Sequence, residues 1–229
     1  HVGGGAAGEG EIAVGRTAPA DRAGGVGQRG GSRRERIEMR RQAAAAGAER
    51  EHEHAVLRDV CKHPAATEAV LSLIARRFPE TFDSEMATHA ATPTDELARI
   101  YGRGDMFVRA AVVSHPRCPP DVLAKAAADH NPLVLCHVAA SARVSADILK
   151  ALVGHADVSV RRAVAGNPLL PPTCLKTLMH DASEVVRRAV SARKDLSAAI
   201  LDRMSGDEDH WVRQWVARNP ALPQRRLSV

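Results

Sequence analysis

Val160-Arg161-Arg162-Ala163-Val164-Ala165 decides how this chain folds. It returns 26 residues later as Val186-Arg187-Arg188-Ala189-Val190-Ser191, and again as Val212-Arg213-Gln214-Trp215-Val216-Ala217. Self-similarity at a fixed step of this length marks a repeat architecture. Carried backwards without gaps, the frame holds to Val56. One column reads Val56, Phe82, Val108, Val134, Val160, Val186 and Val212. A second reads Val60, Met86, Val112, Val138, Val164, Val190 and Val216. A third is leucine throughout, at Leu71, Leu97, Leu123, Leu149, Leu175, Leu201 and Leu227. Only 17 of the 229 residues are leucine, so chance does not produce that column.

Each unit reads as two short helices. In the first, Val160, Ala163 and Val164 share a face by their i, i+3, i+4 spacing. Asp105, Asn131, Asp157, Ser183 and Asp209 stand where a side chain can accept from the free N–H groups of its first turn. Asn167-Pro168 and Asn219-Pro220 mark its end, since proline disfavours helix in the residue before it. The second helix follows Pro171-Pro172, or starts near Ser145 and Ser197. It buries Cys174, Leu175 and Leu178, matched one unit earlier by Ile148, Leu149 and Leu152. One such pair cannot bury its own apolar face, but stacked neighbours can. The expected fold is therefore all-α: a solenoid of 26-residue two-helix units at 56–81, 82–107, 108–133, 134–159, 160–185 and 186–211, with a partial unit at 212–229. A slower alternation overlies it. Pro64, Pro116, Pro168 and Pro220 share a column in odd units, where even units carry Ala90, Ala142 and Lys194.

Two segments precede the repeats. Residues 1–32 are rich in Gly and Ala, have no period, and read as a disordered leader. Residues 33–55 read as a basic helical arm, with Arg33, Arg34, Arg36, Arg40 and Arg41 against Glu35 and Glu38. A solvated helix with Arg–Glu pairs one turn apart is the expectation, and an arm contacting nucleic acid or an acidic protein is the sharper alternative. The chain begins at His1 rather than Met, and its last unit stops within a second helix. Both read as a fragment, or as an end that a partner covers.

Apolar residues make up 45% and charged residues 26%, as in a chain that folds in water. Aromatics are 3%, too few for a sheet that stacks RNA bases. A net charge of +5 neither demands nor excludes a nucleic-acid partner. The richness in Ala, Arg and Gly suggests a GC-rich bacterial genome. No apolar run is long enough to span a bilayer. Cys61, Cys118, Cys136 and Cys174 form no CxxC pair, so a reducing cytoplasm is the expected compartment.

The strings from Val160 to Pro172 and from Val212 to Pro223 resemble the leucine-rich repeat variant family, whose unit is similar to V-R-x-x-V-A-x-N-P-x-x-P-x-x-x-L-x-x-L-A-x-D. Val108-Arg109 through Asp129 fits nearly as well, with His115 where Asn is usual. The units at 134–159 and 186–211 lack Asn-Pro, and those at 56–81 and 82–107 keep mainly the apolar columns. The resemblance implies alternating α and 3₁₀ helices, a right-handed superhelix and a binding surface. It brings no catalytic residues. A cysteine-rich iron–sulfur segment found before the repeats in one type of member does not carry over, since no cysteine precedes Cys61.

The candidate partner-binding residues are Arg109, Arg161, Arg162, Arg187, Arg188, Arg213, Trp211 and Trp215. A guanidinium grips phosphate or carboxylate with two hydrogen bonds, so an Arg ladder suits a repeating anion. Asp129, Asp181 and Asp207 form a column six residues before the next Arg and could pair with it between stacked units, which makes a structural ladder the expectation. Leu57, Asp83 and Leu135 interrupt the arginines. Trp211 and Trp215 lie one turn apart, as an aromatic anchor or as cover for the end of the stack. Cys118 and Cys174 occupy apolar slots, and His63, His89 and His115 share a corner column that suits side-chain hydrogen bonding at a helix end. Neither set, nor His52 with His54, is expected to bind metal, and no cofactor is expected.

Three functions remain, in falling order. The first is a non-enzymatic scaffold for protein–protein interaction. The second is sequence-independent binding of nucleic-acid backbone by the Arg ladder. The third is a helical-repeat DNA-modifying enzyme, using Asp209 beside Trp211. No hydrolase, nucleotide-binding or metalloprotease motif supports catalysis.

Overall fold

The computed structural model describes residues 32–221. The leader up to residue 31 and the end of the partial unit, with Leu227, lie outside the described residues. The chain forms two bodies, residues 1–49 and 50–229. Among the described residues there are thirteen helices and no strand. Helix α1 (Arg33–Lys62) starts with a reciprocal cap, in which Ser32 Oγ accepts from Glu35 N–H and the Glu35 carboxylate from Ser32 N–H. It continues past residue 55 without a break, and residues 33–46 are exposed to solvent.

The repeat body then alternates first and second helices. Helix α2 (Glu68–Arg77) completes the first unit, and α3 (Asp83–Thr88) with α4 (Thr94–Arg103) makes the second. The third holds α5 (Met106–Ser114) and α6 (Pro120–Ala126), and the fourth α7 (Pro132–Ala140) and α8 (Ala146–Leu152). The fifth holds α9 (Val158–Gly166) and α10 (Pro172–Leu178), and the sixth α11 (Glu184–Ser191) and α12 (Ala198–Met204). Helix α13 (His210–Ala217) opens the seventh. First helices pack side by side from α3 through α5, α7, α9 and α11 to α13, with second helices beneath them.

Local chemistry sets these boundaries. Asp105, Asn131, Asp157 and Asp209 accept backbone N–H groups at the starts of α5, α7, α9 and α13. Ser183 occupies the same place at α11 without a side-chain cap bond. Ser145 and Ser197 cap α8 and α12, and proline occupies the first position of α6 and α10. The second helices are short α-helices. Bonds of the 3₁₀ type sit at their ends, as from Cys174 N–H to Pro171 O and from Ile200 N–H to Ser197 O, because two turns leave few residues away from a terminus.

The core follows the apolar columns. Phe82, Val108, Val134, Val160, Val186 and Val212 are buried, as is every leucine from Leu71 to Leu201 in the third column. Each buried leucine contributes about 2 kcal/mol of apolar burial. Val56 is a correction, since it stands 49% exposed. Its helix turns His54, Leu57, Val60 and Cys61 inward instead, and His54 packs edge-on against Phe78 and Phe82. The repeat frame therefore slips by one face at its first helix.

Candidate interaction surface

The arginine column sits at the seam between units. Arg187 Nε and Nη2 grip the Asp207 carboxylate at 2.9 and 3.1 Å, while its Nη1 donates to the carbonyl of Asp181 at 2.9 Å. Asp207 lies in the same unit and Asp181 in the one before, so a single guanidinium staples the two. Arg161 grips Asp181 and donates to the carbonyls of His155 and Ala156. Arg109 grips Asp129 and donates to the carbonyl of Gly104. The sequence had suggested that each Asp pairs with the Arg six residues later. Its carboxylate instead pairs with the Arg 20 residues earlier, and only its neighbourhood's carbonyls meet the later one.

Each of these carboxylates also accepts a backbone N–H two residues on, at Asn131, Ser183 and Asp209. The Arg161 guanidinium, joined by the Ser183 N–H, holds the Asp181 carboxyl below the usual carboxylate range. At Asp129 burial pushes upward, but Arg109, the Asn131 N–H and the Tyr101 hydroxyl outweigh it. Burial and the same carboxylate push the Tyr101 phenol up to about 12. Fork-to-carboxylate contacts of this kind are charge-assisted and geometrically specific.

The column survives substitution in a telling way. In the second unit the two positions carry Asp83 and Arg103, and the pair re-forms with its charges exchanged at 2.7 Å. In the fourth unit Leu135 replaces the arginine and His155 the aspartate. His155 Nδ1 still accepts Asp157 N–H, so the turn is kept while the charge pair is dropped.

A second ladder runs along the corners. His89 Nε2 reaches His63 O, His115 Nε2 reaches His89 O, Asn167 Nδ2 reaches Ser141 O, and Asn219 Nδ2 reaches Arg193 O. The other polar atom of each side chain accepts the N–H two residues on, at Ala91, Arg117, Leu169 and Ala221. Arg193 takes the same place with its guanidinium, donating to Asn167 O and Ala165 O and pairing with Asp195. The expected helix-end role of the histidine column is thus met, with a unit-to-unit bond added.

Exposed apolar residues lie on first helices at Met106, Phe107, Val158, Val185, Trp211 and Trp215, and on the second helix α2 at Val70 and Leu73. Phe107 and Trp211 share a column with Leu133, Ser159 and Val185, and are 64% and 52% exposed. Exposure persists at Phe107, Ser159 and Val185 within the stack, so that of Trp211 is a property of its column. Trp215 is 46% exposed, yet Ala111, His137, Ala163 and Ala189 in its slot are half-buried. Its exposure belongs to the last described unit.

A solved structure described as a leucine-rich repeat variant with a novel repetitive protein structural motif superposes on this chain with a TM-score of 0.52 and 27% identity. This is the leucine-rich repeat variant fold. The match covers 66% of this chain and 60% of the other, so the chain spans less than two thirds of that protein's length. No protein-family model and no curated protein matches the chain. No described helix is long and apolar enough to cross a membrane.

On this fold the remaining candidates fall into place. Arg188 grips Asp209 at 2.7 and 2.8 Å, and Arg213 donates to the carbonyls of Asp207 and Glu208. Arg162 is exposed and has no carboxylate partner among the described residues. Arg188 holds Asp209 well below the usual carboxylate range, aided by the N–H groups of α13, which fixes it as a cap and ion-pair partner. Cys61 and Cys118 are buried, and Cys136 and Cys174 half-buried. Burial, with Glu85 nearby, pushes the Cys61 thiol up to about 11. No group of three or more His, Cys, Asp or Glu among the described residues is placed to hold a metal ion.

Proposed function

We propose that the chain is a non-enzymatic scaffold that docks another protein on its first-helix face, with Trp211 at the contact and Trp215 beside it. The observation that carries this reading is the exposure of Trp211 on a column that is also exposed at Phe107, Ser159 and Val185 and half-buried at Leu133. Tryptophan buries large area at low entropic cost and dominates interface energetics where it is exposed before binding. A repeat stack of this kind supports a scaffold role by presenting one extended surface. Affinity capture with the wild-type chain and with Trp211→Ala and Trp215→Ala variants tests it. The captured protein is lost with Trp211→Ala while far-UV circular dichroism is unchanged. An unchanged capture removes Trp211 from the account.

Backbone binding to nucleic acid is the second reading, and the ladder supports it less. Arg109, Arg161, Arg187 and Arg188 are each held by a carboxylate, which leaves Arg162 and Arg213 as the arginines of the candidate set without one. Fluorescence anisotropy of a labelled mixed-sequence duplex at low salt separates the readings. Tight binding with a steep salt dependence favours nucleic acid, and no binding favours the protein scaffold.

A further inference from the structure

The corner ladder has one missing rung. Position 141 is serine, too short to reach the previous unit, and a cavity of about 270 Å³ opens there between the third and fourth units. Val113, His115, Cys118, Leu123, Ser141 and Arg143 are among its lining residues. The same corner two units earlier, around Cys61 and His89, is also hollow, with about 510 Å³. Two units later the corner is occupied by the chain's own Arg193 side chain, 4% exposed. The 52-residue alternation of the sequence has a structural counterpart: a cavity lies at the first two odd-to-even steps, at the first beside the His89 rung, and the Arg193 side chain fills the third.

The repeat shows what chemistry such a corner takes. At the following step, Asn167 Nδ2 donates to Ala139 O at 2.6 Å and to Ser141 O at 3.0 Å. The equivalent carbonyls at the hollow corner are Val113 O and His115 O. Among the described residues no hydrogen bond reaches Val113 O, and His115 O receives only the Cys118 N–H. A buried carbonyl wants a donor. Arg193 shows that a guanidinium satisfies these carbonyls when Asp195 neutralises it. At the hollow corner the residue in the place of Asp195 is Arg143, whose Nη1 donates to Pro116 O. A second cation there meets like charge, whereas a neutral amide oxygen meets a donor.

We propose that the corner between the third and fourth units binds a primary carboxamide. Its NH₂ donates to Val113 O and His115 O as Asn167 does one step on, its oxygen accepts from Arg143, and its apolar body packs on Cys118 and Leu123. The group belongs to a free small amide or to an Asn or Gln side chain of a partner. The slot lies apart from the first-helix column of Trp211 and does not depend on that reading.

Protein-observed NMR with the full chain tests the proposal, with propionamide as probe and N,N-dimethylpropionamide and propionate as controls. Propionamide shifts the resonances of Val113, His115 and Arg143 saturably. The dimethyl amide, which has no N–H, binds at least about tenfold more weakly, a loss of two neutral hydrogen bonds. Ser141→Asn, which supplies the missing carboxamide from the chain, abolishes the response, and Arg143→Ala weakens it without abolishing it. Equal response to the dimethyl amide, tighter binding of propionate, an unaltered response in Ser141→Asn, or no response because water alone fills the slot overturns the proposal. A tripeptide centred on Gln and blocked as its N-methylamide distinguishes the sources. Tighter binding than propionamide assigns the slot to a partner's side chain, and weaker binding assigns it to a free amide, both upholding carboxamide recognition.

Discussion

At the fifth and sixth units Arg161 and Arg187 each hold the carboxylate of their own unit and the carbonyls of the unit before. At the second unit the same two positions carry Asp83 and Arg103, and the pair persists with its charges exchanged. An aspartate has no N–H to offer a neighbour's carbonyl, so the exchanged pair closes its own unit without stapling it to the first. The difference separates two jobs that the column performs together elsewhere. Closing a unit needs opposite charges in either order, but joining units needs arginine at the earlier position. The fourth unit, with Leu135 and His155, keeps only the turn bond.

The largest expected effect comes from breaking a staple where burial is deepest. Arg187 and Asp207 are 8% and 9% exposed in their side chains. Arg187→Ala leaves a buried carboxylate and two carbonyls without their donor, and costs about 3 kcal/mol. Arg187→Leu with Asp207→His, which copies the fourth unit, recovers most of that loss. Urea unfolding followed by circular dichroism measures both.

Acid sharpens the comparison further. Asp181 has a folded pKa below its unfolded value, so the stability it lends is full above the unfolded carboxylate range and is lost as pH falls through the folded value. The fourth unit has no carboxylate at 155 and so has no Arg–Asp pair to lose in acid. Hydrogen exchange at pH 3 should therefore show amides of α9 and α10 losing protection relative to pH 6 by more than those of α7 and α8. The corner ladder adds a window at higher pH. Burial, partly opposed by its bond to His89 O, lowers the His115 pKa from 6.5. Neutral His115 is stabilising, and that contribution falls as pH drops below 6.5, because protonation of Nδ1 expels the Arg117 N–H. His115→Asn, which makes the same two bonds without titrating, flattens the dependence below pH 6.5.

The smallest effect has the opposite sign. Ser141→Asn restores the missing rung and fills part of the cavity, and raises stability by about 1 kcal/mol. A thermal melt checks it, and a lowered midpoint means that the corner cannot accept the longer side chain.

Much of this was legible in the sequence because a repeat repeats its core. Valine and leucine columns at a 26-residue step identify equivalent positions, and equivalent positions pack alike. Periodicity does not say which columns touch. Asp181 lies closer along the chain to Arg187 than to Arg161, yet its carboxylate pairs with Arg161 because the second helix brings the chain back beside the start of its own unit. The charge exchange at Asp83 and Arg103 was hidden for the same reason, since only the contact reveals the two as partners. Val56 stood in the right column but on a helix that turns a different face inward, a rotation that no column records. At the corners, histidine, asparagine and arginine share little as residue types, and only their bonds across the seam show that they do one job. Of the candidate site, the spacing of Trp211 and Trp215 suited an anchor or an end cover alike, and the engagement of the arginines depended on geometry.

A double-mutant cycle on Arg187 and Asp207 tests the central claim, that the arginine column is a set of internal staples, most directly. Arg187→Ala, Asp207→Ala and the double variant are unfolded in urea and the coupling energy taken from the three losses. The account predicts a coupling of about 2 kcal/mol, within the range for contacting partners of one network. A coupling near zero, with losses that simply add, contradicts it and returns Arg187 to the pool of side chains free for a partner.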